Sequence, residues 1–104
     1  MMYITETLIE NPVENEIKVI FEPWAFSLDL EPKKTFRVVC KSEFQGELEI
    51  LHQPGTLIVF AWQGTTLTIY DENKIVMEVP IAVPALPLGM TTHGFLGMVL
   101  GDKA

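Results

Sequence analysis

"FEPWAFSLDLEP", residues 21 to 32, decides how this chain is read. Between its two Glu-Pro pairs, Trp24, Phe26, Leu28 and Leu30 fall on one face of an extended chain. Ala25, Ser27, Asp29 and Glu31 fall on the other. A period of two is strand geometry, with one face for a core and one for water. Pro23 has no N–H for a ladder and belongs at a strand start or edge. Pro32 suits the second position of a tight turn completed by Lys33 and Lys34. The stretch reads as a punctuated core strand with Trp24 as its anchor.

The same alternation runs outward from it. "EIKVIFE" places Ile17, Val19 and Phe21 opposite Lys18 and Glu22. "TFRVVCK" places Phe36, Val38 and Cys40 opposite Arg37 and Lys41, and "GELEILH" places Leu48, Ile50 and His52 opposite Glu47 and Glu49. "TLTIYD" and "KIVMEV" continue it, whereas "TLIVFAW", residues 56 to 62, is apolar on both faces and reads as a central or doubly covered strand. Turn chemistry separates the runs: "NPVEN", "EPKK", "SEFQG", "QPG", "QGTT" and "DEN". About eight short strands with regular turn signals predict an all-β fold, an antiparallel β-sandwich, with a partly open β-barrel as the alternative. A loop at 42–46 would set Lys41 opposite Glu47, Cys40 opposite Leu48 and Phe36 opposite His52, the last two pairs inward.

The 104 residues suffice for one domain. The sandwich is expected over residues 1–79, followed by a Pro/Gly-rich apolar segment, 80–104, in which only His93 interrupts an uncharged run from Pro80 to Gly101. Pro80, Pro84 and Pro87, with the glycines at 89, 94 and 97, break any continuous helix there, so a membrane span is not expected. The segment is expected to pack on the domain or on a neighbouring subunit, because an uncharged arm is costly to leave in water.

Charge and cysteine content exclude further classes. Net charge is -7, and residues 1 to 31 hold seven acids against Lys18 alone, which disfavours nucleic acid and anionic membranes as partners. Cys40 is the single cysteine, so no intrachain disulfide can form; with no basic, then apolar, N-terminal run, a cytoplasmic location is expected.

Catalytic and metal chemistry find little footing. Cys40, His52, His93 and Met90 or Met98 are ligand types of a blue-copper site. Such sites group Cys, His and Met in one short loop, and the hairpin register above would put Cys40 and His52 about 13 Å apart. No metal or cofactor is expected, and Cys40 reads as a small core residue. Ser27 and Ser42 lack the frame of a nucleophile elbow, and the histidines assemble no triad with Asp29, Asp71 or Asp102. Glu47 and Glu49 read as a solvated face beside Lys41, and "GFLG" lacks the companions of a phosphate loop. No enzyme is expected.

The stretches "IKVIFEPWAFSLDLEPKKTFRVV", "LEILH" and "TLIVFAWQGTTLTIY" resemble a set of small uncharacterised bacterial all-β proteins that carry an E-P-W strand. "EPKK" stands where that set has a Pro-Gly turn. The resemblance implies a fold and no activity, cofactor or site residue. The expected function is a non-enzymatic interaction or accessory module that self-associates through an apolar surface including residues 80–104. The alternative is a small-ligand or metal-binding protein using Trp62, His52 and His93 near strand ends.

Overall fold

The computed structural model describes residues 1–86 and 90–100, the last three by backbone alone. Pro87, Gly89, Asp102 and the Met98 side chain therefore lie outside the described residues. Eight strands follow in chain order: β1 (Tyr3–Glu10), β2 (Ile17–Glu22), β3 (Phe26–Leu30), β4 (Thr35–Ser42), β5 (Glu49–Gln53), β6 (Thr56–Phe60), β7 (Thr66–Asp71) and β8 (Lys74–Val79). A helix, α1 (Thr92–Leu100), closes the described chain. The strands form two four-stranded sheets, β1-β4-β7-β8 and β3-β2-β6-β5, packed face to face. Both sheets end in edge strands, so the fold is a sandwich and not a barrel.

Alternation built this core. Ile9, Phe36, Val38, Cys40, Leu67, Ile69 and Val79 point inward from the first sheet; Ile17, Val19, Phe21, Leu30, Leu57 and Val59 point inward from the second. Each is nearly or fully enclosed, and burial of such side chains stabilises by roughly 1.5–3 kcal/mol apiece. The doubly apolar run becomes β6, interior to its sheet between β2 and β5. Its outward Phe60 is buried under His93, whose ring stacks on it at 4.4 Å between centroids.

The pairing corrects three expectations. First, β2 and β6 run parallel, with Val19 beside Leu57 and Phe21 beside Val59. The other five pairs among the described residues are antiparallel. Secondly, β4 and β5 do not form a hairpin. Lys41 lies between Ile4 and Thr66, and β5 pairs with β6, setting His52 exposed opposite Leu57. Residues 43–48 instead carry the chain from one sheet to the other around Trp62. The buried Ser42 hydroxyl donates to the Gln63 carbonyl and accepts from the Phe44 N–H, and Trp62 Nε1 donates to the Phe44 carbonyl at 2.7 Å. Gly46 lies against the indole so closely that a Cβ there would be 2.6 Å from the ring.

Thirdly, Trp24 is not in a strand. Residues 22–25 turn the chain from β2 into β3, with a cis Glu22–Pro23 bond, Ala25 at φ 66 and the Ala25 N–H donating to the Phe21 carbonyl at 2.9 Å. Trp24 is half-buried at this hairpin tip, tilted against Phe26 and packed on the edge of the core. The second Glu-Pro pair behaves as expected. Lys34 N–H donates to the Glu31 carbonyl, with Lys33 at φ 64 in the position usually given to glycine.

The described part of the C-terminal segment packs on its own domain. Trp24 Nε1 donates to the Ile81 carbonyl, the Gly64 and Val83 N–H groups bond to Val83 O and Thr65 O, and Val83 is only 2% exposed. Thr91 caps α1, its hydroxyl accepting from Gly94 N–H, and the Thr92 hydroxyl donates to the Ala61 carbonyl. No helix among the described residues is long and apolar enough to cross a membrane.

Candidate functional site

The three residues expected near a site are divided by the fold. Trp62 and His93 come together at one end of the β3-β2-β6-β5 sheet, where residues 43–48, the end of β6 and the C-terminal segment meet. His52 lies toward the other end of β5, beside the β1–β2 loop.

At the first end, pairing register sets a row across the outer face of the sheet: Glu22, Phe60 and Glu49 on neighbouring strands. His93 covers Phe60 and meets Glu49 Oε2 through Nδ1 at 2.5 Å. A cleft of about 330 Å³ opens beside this pair, walled by Phe44, Glu47, Trp62, Met90 and Thr91 among others. An oriented imidazole next to a carboxylate is half of a general-base arrangement. Among the described residues no side-chain hydroxyl or thiol is hydrogen-bonded to His93, whose side-chain partner is Glu49. Ser42 is committed to Gln63 and Phe44, Ser27 lies exposed on β3, and Cys40 is fully buried. Burial pushes the Cys40 thiol up to about 11, against a smaller opposite effect of its hydrogen bond with Thr5.

Alternation alone puts Glu22, the other flank of the row, on a solvent face. The structure makes it half-buried, with Oε1 enclosed and without a hydrogen-bond partner among the described residues. Desolvation raises its carboxyl above the ordinary glutamate value, partly offset by the Ala25 N–H. A strand pattern alone cannot show this, because alternation tells which face a side chain takes and not what packs over that face.

No group of three or more His, Cys, Asp or Glu side chains among the described residues could hold a metal ion. Cys40 faces the core, His52 the solvent at one end and His93 the Glu49 carboxylate at the other, so the ligand types of a copper site are dispersed.

A different surface emerges on the opposite side of the molecule. The outer face of the β1-β4-β7-β8 sheet carries Leu8, Arg37, Tyr70 and Ile75 as one cross-strand row and Glu6, Val39, Thr68 and Glu78 as the next. Ile4, Leu8 and Ile75 are 64%, 58% and 51% exposed. Arg37 binds Glu6 at 3.0 Å and lies 4.1 Å over the Tyr70 ring. Solvent-facing strands usually spend these positions on polar residues, and the periodicity of β1 hid them because both of its faces mix apolar and polar side chains. The chain matches no protein-family model, no curated protein sequence and no solved structure.

Proposed function

We propose that the protein is a non-enzymatic cytoplasmic interaction module that self-associates through the outer face of the β1-β4-β7-β8 sheet. The carrying observation is the exposure of Ile4, Leu8 and Ile75 on a face that also holds Val39 and Tyr70. A second copy is the partner that the charge pattern fits. The chain as a whole is strongly acidic and repels itself, but on this face Glu6 of β1 runs beside Arg37 and Lys41 of β4. A two-fold axis through such a surface brings Glu6 of each copy toward Lys41 of the other, with the aliphatic side chains between them. The net charge of -7 argues against nucleic acid as the partner. In the C-terminal segment, Ile81 O, both backbone polar groups of Val83 and the Val83 side chain are engaged with the chain's own domain, which favours the sheet face over residues 80–104 as the contact.

Sedimentation velocity on the full chain over a range of concentrations tests the reading, beside a Leu8→Lys/Ile75→Lys variant. The parent is expected to dimerise, and the variant to sediment as a monomer with an unchanged β-sheet circular dichroism spectrum. A parent that stays monomeric, or a folded variant that still dimerises, overturns it.

A further inference from the structure

The end of the sandwich near His52 holds a cleft of about 520 Å³, within the range of roughly 300–1,000 Å³ typical of small-molecule sites. Its floor is apolar: Ile17 and Leu57, each less than a tenth exposed, are core residues that show through the gap between the sheets. Val13, about half exposed, extends that apolar surface to the mouth. The exposed residues Glu10, Glu16 and His52 also line the cleft, and neither Lys nor Arg does. Neither carboxylate forms an ion pair among the described residues, although Glu14 nearby is bound to Lys33.

Both walls are fixed in advance. Asn11, 1% exposed, ties the β1–β2 loop together: Nδ2 donates to the Asn15 and Leu30 carbonyls at 2.9 Å, and Oδ1 accepts from Val13 N–H. Its backbone bonds across to the β3–β4 turn, Lys33 N–H donating to Asn11 O and Asn11 N–H to Lys34 O. On the other side the Pro54–Gly55 turn joins β5 to β6, and Gly55 O accepts from Lys18 N–H. A cleft whose loops are held by their own hydrogen bonds loses little conformational entropy when filled.

We infer that this cleft between the β1–β2 loop and the β5–β6 hairpin binds a small organic cation, an amine on an apolar body. The apolar part lies on Ile17, Leu57 and Val13, and the ammonium group sits at the rim between the carboxylates of Glu10 and Glu16. An anionic ligand meets the two carboxylates there, while Lys33 beside the cleft is engaged with the Pro12 carbonyl and Glu14; a neutral apolar ligand leaves both carboxylates without a counter-ion.

Phenethylamine, with phenethyl alcohol as its uncharged isostere, serves as the probe in a titration of the full ¹⁵N-labelled chain followed by amide chemical shifts. The amine is expected to saturate, with its largest shifts at Val13, Glu16, Ile17, Gly55 and Thr56, and to bind roughly tenfold or more tightly than the alcohol. Glu10→Gln/Glu16→Gln, which alters two exposed side chains and leaves the core alone, is expected to remove that preference while keeping the parent spectrum elsewhere. Absence of saturation at millimolar amine, largest shifts at the Trp62 cleft, equal binding of the alcohol, or an unchanged preference in the double variant would each overturn the assignment.

Discussion

Trp24 Nε1 donates a hydrogen bond to the carbonyl of Ile81 at 2.8 Å, joining residues 57 positions apart. The β2–β3 hairpin tip is thereby a clasp on the C-terminal segment. Trp24→Phe keeps most of the ring and deletes the donor, so about 1 kcal/mol of stability is expected to go. Trp24→Ala removes packing as well, and is expected to cost about 2–3 kcal/mol, less than the 3–5 of a fully enclosed aromatic. Urea denaturation measures both. Hydrogen exchange at the Val83 amide is expected to speed up in each.

Gly46 and Gly55 make a paired test of two kinds of glycine. At Gly46 a Cβ would strike the Trp62 ring at 2.6 Å, whereas at Gly55 it would meet nothing within 4 Å but the backbone is left-handed at φ 70. Gly46→Ala is expected to destabilise by about 1–3 kcal/mol through overpacking and to shift tryptophan fluorescence. Gly55→Ala is expected to cost about 1–2 kcal/mol with fluorescence unmoved. Denaturation midpoints and emission spectra separate the two mechanisms.

The Cys40 thiol is buried and pushed up to about 11, so both access and thiolate fraction are low at neutral pH. The folded protein is expected to resist Ellman's reagent over the period in which guanidinium-unfolded protein reacts completely. Prompt reaction of the native chain would contradict the burial of β4.

Glu22 gives a pH dependence with a definite sign. Its carboxyl holds a proton more tightly in the folded chain than in the unfolded one, because burial disfavours the anion. The folded state is therefore penalised at pH values above the folded pKa and recovers stability as pH falls through it. Glu22→Gln is expected to raise the denaturation midpoint at neutral pH and to lose that advantage in acid, where the parent carboxyl is protonated. A variant less stable than the parent at neutral pH would mean that the enclosed oxygen has a partner.

How far the site was legible varies residue by residue. Trp62 stands out in the sequence at the end of a doubly apolar run beside a glycine turn; in the fold it lines a cleft. His93 stands out as the lone polar ring in an uncharged segment, whereas alternation puts its carboxylate partner, Glu49, on a solvated face. Asn11 carried no signal beyond its place in "NPVEN", yet it organises the loop that walls the second cleft. Polar residues at turns look alike in sequence, and only the folded chain shows which one is enclosed.

The sequence by itself determined the strands and all but one of their breaks, the turn at residues 22–25 that reads as strand, because a period of two and the backbone limits of Pro and Gly act over a few residues. Val19, Phe21, Val38 and Ile69 had no stable place but a core. The tertiary structure alone decided what each break does. "FEPWAF", "QPG" and "DEN" close hairpins within a sheet, while "NPVEN", "EPKK", "SEFQG" and "QGTT" carry the chain between sheets. Each reverses the chain with similar residues. The choice rests on partners far away in sequence: Trp62 beneath Gly46, Leu30 O before Asn11, and β6 beside β2. Turn chemistry sets where a strand ends, but the pairing that follows is fixed by which apolar faces can be buried together, and that is a property of the whole chain.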